Sequence, residues 1–121
     1  MHTQIIAYAE NKYNTLPEHL WAKSPEYAVL RHARNRKWYA VLMLVDREKL
    51  HISGEGQAWI INVKTTADVI EHLPYSTGFL PGYHMNKKYW ISILLDGTVP
   101  LDAVEKFLDI SYELTMGKYK L

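Results

Sequence analysis

Trp38-Tyr39-Ala40-Val41-Leu42-Met43-Leu44-Val45 is the stretch on which the fold turns. In an extended chain Ala40, Leu42 and Leu44 point to one side while Val41, Met43 and Val45 point to the other. Both sides are apolar, so both must be covered, and this segment is expected to be an interior strand rather than an edge. Upstream, Tyr27 to His32 reads as its partner across the polar turn Ala33-Arg34-Asn35-Arg36. Downstream, Leu50 and Ile52 alternate with polar neighbours and predict a short extra edge strand, before Gly54-Glu55-Gly56 turns the chain into Ala58-Trp59-Ile60-Ile61-Asn62-Val63.

Helical periodicity brackets these strands. Thr3 to Tyr13 carries Ile5, Ile6, Ala9 and Tyr13 at spacings near 3.6 and should stop before Leu16-Pro17. Thr65-Thr66-Ala67-Asp68 opens a short helix with Val69, Ile70 and Leu73, ending at Pro74. A Gly/Pro-rich connection then leads to a strand over 89–95, closed by the turn pair Asp96-Gly97. Leu101, Val104, Leu108, Ser111, Tyr112 and Thr115 mark the core side of a closing helix. The order is helix, three or four strands, helix, one or two strands, helix. Connections within the first strand group are too short for parallel crossovers, so the expectation is an α+β fold, an antiparallel sheet flanked by helices.

Composition narrows the function classes. At 121 residues, without repeat or linker, one domain over 1–121 is expected. The chain has no cysteine, which excludes disulfides and thiolate-bound zinc and suits a reducing cytoplasm. It has neither a signal-peptide pattern nor an apolar run near the roughly 18 residues that span a bilayer, so no membrane association is expected. A net charge of +1 argues against a protein that coats nucleic acid with its whole surface. Any polyanion site must be local.

The charge is indeed segregated. From Tyr27 to Val45 there are Arg31, Arg34, Arg36 and Lys37 and no acid, and Gly82 to Leu95 holds Lys87 and Lys88 with none. Asp102, Glu105, Asp109 and Glu113 recur at helical spacing and should line a separate face. In the first cluster Arg34, Arg36 and Lys37 adjoin Trp38 and Tyr39; arginine can fork onto phosphate and rings can stack on bases, while by themselves the same residues favour a solvated hairpin tip with Trp38 or Tyr39 in the core. In the second, Tyr83-His84-Met85-Asn86-Lys87-Lys88-Tyr89-Trp90, Asn86 suits a base edge or a backbone turn and the lysines suit phosphate. Both basic segments are placed to flank one antiparallel sheet.

His2, His19, His32, His51, His72 and His84 are scattered, without a His-Glu-x-x-His helix, a glycine-rich phosphate loop or a nucleophile elbow. No enzyme, cofactor or metal site is expected, although His84 with Asp96 or Ser76 is the one base-and-partner pairing weighed.

His84-Met85-Asn86-Lys87 followed by Trp90, with Arg36-Lys37-Trp38 upstream, Leu95-Asp96-Gly97, and Ser111-Tyr112 in the last helix, resembles the MmcQ/YjbR family of small bacterial proteins over nearly the whole chain. The resemblance implies an α-β3-α-β2-α order, a likeness to secretion chaperones and a double-wing DNA-binding arrangement. The wings would be the Ala33–Arg36 turn and the Ser53–Gln57 turn, the latter less cationic because of Glu55. Lys88-Tyr89 stands where the family pattern has Arg-His. The resulting expectation is DNA binding by Arg34, Arg36, Lys37, Lys87 and Lys88 on phosphate, with Trp38, Asn86 and Tyr89 on base or sugar. The alternative is a protein-interaction or chaperone-like module, for which the abundance of Tyr and Trp speaks.

Overall fold

The structure is a computed structural model that describes residues 1–75 and 77–117. Its elements follow the order α1 (His2–Tyr13), β1 (Ala28–Arg31), β2 (Trp38–Asp46), β3 (Gln57–Lys64), α2 (Ala67–Glu71), β4 (Phe79–Pro81), β5 (Trp90–Leu94) and α3 (Leu101–Thr115). The strands form one five-stranded sheet in the order β1-β2-β3-β5-β4. Every neighbouring pair is antiparallel. The α+β expectation and the interior position of β2 both hold.

The two sheet faces are covered differently. On one, Ile5 and Ala9 of α1 and Val104 and Leu108 of α3 bury Leu30, Ala40, Leu42, Ile61, Val63, Ile91 and Ile93. On the other no helix packs among the described residues; Val29, Val41, Met43, Val45, Ile60 and Leu94 are covered by connections that contribute Trp21, Tyr27, Leu50, Ile52, Leu80 and Tyr83. The apolar double face of β2 is thus explained by helices on one side and aromatic loops on the other.

One local expectation is corrected, and two that hold gain a physical detail. The Leu50-Ile52 segment is a run of turns, with Leu50 N–H bonded to Arg47 O and His51 N–H to Glu48 O, and Leu50 serves the loop-covered core rather than a strand edge. The Gly/Pro-rich connection contains β4, whose Phe79 pairs with Ile93 and whose Pro81 ends it at the sheet edge, where a missing N–H costs no ladder bond. Helix α1 is stopped by Asn14 in the left-handed region (φ 54°), its N–H returning to Glu10 O, so the cap precedes any effect of Pro17.

A bulge at the start of β2 decides which residues face which core. Leu30 pairs with Ala40 but Arg31 pairs with Trp38, leaving Tyr39 as the extra residue. The bulge breaks alternation: Tyr39 enters the helix-side core, wholly buried, while Trp38 turns to the loop-covered face. Tyr39 donates its hydroxyl to Thr15 Oγ1 at 2.7 Å, and burial pushes its pKa up to about 12. Just past the last β2–β3 pair, Ala40 with Val63, α3 joins the two strands: Ser111 Oγ donates to Tyr39 O (2.6 Å) and accepts from Lys64 N–H (2.8 Å).

Candidate nucleic-acid interface

Antiparallel pairing brings the start of β2, the end of β3 and the start of β5 to one end of the sheet, since Ala40 pairs with Val63 and Val63 with Ile91. Just beyond, Thr65 N–H bonds Tyr89 O at 2.8 Å. Two strand spacings separate β2 from β5, about 10 Å at the backbone. The turn bearing Arg34, Arg36 and Lys37 and the segment Lys88-Tyr89 therefore rise from the same end, with Lys64 between them. Lys64 was missed by sequence reasoning; the signal was its position as the last residue of the strand that runs between the two basic loops. Its Nζ lies 5.8 Å from the Tyr89 ring centroid, and that of Lys88 5.6 Å, so two cations share one exposed ring.

The β1–β2 turn is held from below. His32 N–H bonds Lys37 O and Arg36 N–H bonds His32 O, a closure that puts Arg36 at φ 64°. Asn35 Oδ1 accepts the Lys37 N–H, and its Nδ2 donates to Thr115 O and Met116 O, the terminal carbonyls of α3. Beneath it Arg31 makes a two-pronged bond to Glu18 at 2.6 and 2.8 Å. The Arg31 hydrogen bond holds the Glu18 carboxyl below the usual carboxylate range. Arg36 Nη2 stands 3.9 Å from the same carboxylate and remains 63% exposed. His32 is buried beside Tyr39 and Tyr112, its Nε2 2.7 Å from Thr115 Oγ1. Because the Thr115 hydroxyl donates to Ser111 O, the imidazole is the donor; burial lowers its pKa. It is a core histidine.

The β4–β5 loop is pinned by a buried polar network. Asn62 Nδ2 donates to Tyr83 O at 2.9 Å, Tyr83 N–H donates to Ser92 Oγ at 2.9 Å, and Ser92 Oγ donates to Asn62 Oδ1. Gly82 passes so close to β5 that a Cβ would lie 2.7 Å from Trp90 O. From this anchor the loop folds back over the helix-free face. Asn86 spends its oxygens on the turn, Oδ1 on Lys88 N–H and its carbonyl on Tyr89 and Trp90 N–H, which favours the turn reading over the base-edge reading for that side of the amide. Lys87 is the outlier of the basic set: it borders a cavity of about 340 Å³ with Lys49, His51 and His84 on the helix-free face. A neighbouring cavity of about 320 Å³ is walled by Trp21, Tyr27, Trp38, Tyr83 and Met85 over a floor of Val41 and Met43.

Of the α3 acids, Asp102, Glu105 and Asp109 lie back along the helix from the basic turn, whereas Glu113 is in the last turn, two residues from the Thr115 carbonyl that Asn35 binds. Asp109 is held on the helical side by Tyr13 (2.5 Å), Tyr8 (2.8 Å) and Lys12 (3.0 Å). Burial draws its pKa up, but those three bonds outweigh it and hold the carboxyl below its ordinary value. Asp102 sits at the opposite end of α3 from Thr115, about 20 Å from the turn Asn35 anchors. Among the described residues no ion pair involves Lys37, Lys64, Lys87 or Lys88. The two turns matched to wings do not sit together: they lie at opposite ends of the nine-residue β2, about 27 Å apart. The partner of the Ala33–Arg36 turn at the basic end is the β4–β5 loop. Asp96 follows the far end of β5 and receives Thr98 N–H, whereas Ser76 lies outside the described residues.

Residues 10–114 match the sequence family described as YjbR. The chain is 40% identical over 111 residues to the uncharacterized protein YyaQ of Bacillus subtilis, covering 92% of this chain and 94% of that one. It is similar to the crystal structure of a Pseudomonas syringae protein, with a TM-score of 0.91 at 40% identity, over 95% of this chain and 98% of the other. The crystal structure of Deinococcus radiodurans DR2400 shares the fold, with a TM-score of 0.65 at 24% identity over 88% of this chain and 72% of that one.

Proposed function

We propose, from the premise that this chain belongs to the YjbR family, that it is a non-enzymatic cytoplasmic protein that binds DNA at the basic end of its sheet. The observation that carries the reading is convergence: Arg34, Arg36, Lys37, Lys64 and Lys88 arise from three connections that antiparallel pairing gathers at one end, and of the α3 acids only Glu113 lies near that end. In this reading these cations, joined by Lys87 on the adjacent face, hold phosphates, and Trp38 and Tyr89 offer ring faces. No helix among the described residues is long and apolar enough to cross a membrane.

The test is fluorescence anisotropy of labelled DNA over a salt series. Six phosphate contacts predict that log affinity falls with log salt at a slope of about −5 on duplex DNA. The folded Lys87→Glu, Lys88→Glu variant should bind more weakly with a shallower slope. Absence of binding at low salt, or binding indifferent to salt, refutes the proposal.

A protein-interaction reading has one observation in its favour. Ile110 and Leu114, a turn apart on α3, are 40% and 42% exposed beside Phe107. A stoichiometric protein partner that survives nuclease and is lost on Ile110→Glu, Leu114→Glu would move the assignment there.

A further inference from the structure

The loop-covered face carries a feature that phosphate binding alone does not use. Trp21 meets Tyr27 and Trp38 edge to face, with ring centroids 5.7 and 5.9 Å apart, and Tyr83 and Met85 complete the wall of the cavity of about 320 Å³. These side chains are only half buried. The volume is at the small end of ligand pockets, suited to one flat ring rather than an extended molecule. Trp38 points into it only because the bulge at Tyr39 reverses the alternation of β2. Bulges re-aim side chains beside functional sites.

The surroundings select the occupant. The lining itself carries His84 and no Lys or Arg, but it shares Tyr83 and His84 with the neighbouring cavity that Lys49 and Lys87 border, and Trp38 follows Arg36 and Lys37 in the chain. An aromatic box with lysines on the adjoining cavity disfavours an ammonium guest and suits a flat ring attached to anions. We propose that this cavity receives an unpaired nucleobase, stacked on Trp21 or Trp38, so that the protein prefers single-stranded over duplex nucleic acid. A paired base keeps its faces inside the stack, whereas every unpaired base offers a π-face.

This inference rests on the nucleic-acid reading above, and the experiment separates the two. Oligothymidylate of about 12 nucleotides and a duplex of equal length are compared at one salt concentration. The expected results are tighter binding of the single strand, quenching of indole emission on its addition, and a loss of single-strand affinity of about 5- to 150-fold in Trp21→Ala that erases the preference. Met85→Ala, a smaller change in the same wall, should weaken single-strand binding in the same direction and serves if Trp21→Ala does not fold. Equal, salt-sensitive binding of both forms without indole quenching overturns the pocket assignment and leaves phosphate binding standing. Failure of both forms to bind at low salt refutes the two together. Quenching by a Leu/Phe-rich peptide but not by oligothymidylate assigns the cavity to a protein partner and likewise overturns the inference.

Discussion

Replacing Ser92 by alanine tests whether the β4–β5 loop is held by the polar network rather than by its apolar residues. Ser92 is wholly buried, and its hydroxyl both accepts the Tyr83 N–H at 2.9 Å and donates to Asn62 Oδ1. The substitution removes one small atom and strands two polar groups. Each stranded group costs about 1–3 kcal/mol, and with partial relaxation of the loop the expected loss is about 2–4 kcal/mol. Asn62 Nδ2 still holds Tyr83 O, so the loop should loosen rather than detach. With a urea m-value of about 2 kcal/mol/M, the midpoint should fall by about 1–2 M. Asn62→Leu should cost a similar amount, and the double variant less than the sum, with a coupling of about 1–2 kcal/mol. A loss below about 0.5 kcal/mol for Ser92→Ala, or strict additivity in the cycle, would refute the network as the anchor.

Gly82→Ala places a Cβ 2.7 Å from Trp90 O and 3.0 Å from Trp90 C, backbone that cannot step aside cheaply. A loss of about 1–3 kcal/mol is expected, seen as a melting temperature lower by about 5–10 °C; an unchanged melt contradicts the close approach. Burial lowers the His32 pKa from its ordinary 6.5, so the unfolded chain binds the proton more readily. Stability contributed by neutral His32 is then complete above pH 6.5 and is lost as pH falls toward the folded value, at no more than about 1.4 kcal/mol per pH unit. An NMR titration placing the folded His32 pKa above 6.5 would reverse this. Arg36 occupies φ 64°, where a side chain costs about 1 kcal/mol that glycine avoids, while glycine adds unfolded-state entropy and forfeits a long ion pair to Glu18. Arg36→Gly should leave stability within about 1 kcal/mol of the native chain yet reduce the salt slope of binding by about 0.9. A large stability loss or an unchanged slope counts against the arginine as an exposed phosphate contact.

What could be read in the sequence was whatever depends on local periodicity. The double apolar face of Trp38–Val45 announced an interior strand, and the 3.6-residue rhythm of Val104, Leu108, Ser111 and Thr115 announced the buried side of α3. Ser111 and Tyr112 also stood out, and their roles are physical: one links β2 to β3 just past their last pair, and the other stacks on Tyr13 at 3.7 Å. Non-local facts were beyond reach. Strict alternation would put Tyr39 with Val41, and only pairing with β1 shows the bulge that sends Trp38 there instead. Likewise β4 is three residues ended by a proline, too short for a period, and Lys64 gains meaning only from its register opposite Trp90. The basic clusters were visible as charge, but that Lys87 leans away while Lys64 joins Lys88 depends on how the loop folds.

The irregularities of this fold are not spread evenly. Along β2 and β3 the register runs unbroken from Ala40 opposite Val63 to Asp46 opposite Gln57. At the end where the cations gather stand the Tyr39 bulge, Arg36 at φ 64°, and Gly82 against Trp90, with His84 at φ 58° on the loop that springs from it. The other left-handed non-glycine residues have ordinary duties: Asn14 caps α1, and His51 ends the turn from Glu48. A sequence selected only for stability has no reason to concentrate backbone strain at one end of an otherwise regular sheet. Departures from local rules persist where the displaced side chains are needed. Here the displaced groups are a tryptophan turned into an aromatic cavity and an exposed arginine. Removing the displaced side chain while keeping the bulge and the buried Tyr39 should therefore cost binding more than folding: in Trp38→Ala the test is whether single-strand preference disappears in a chain that still unfolds cooperatively.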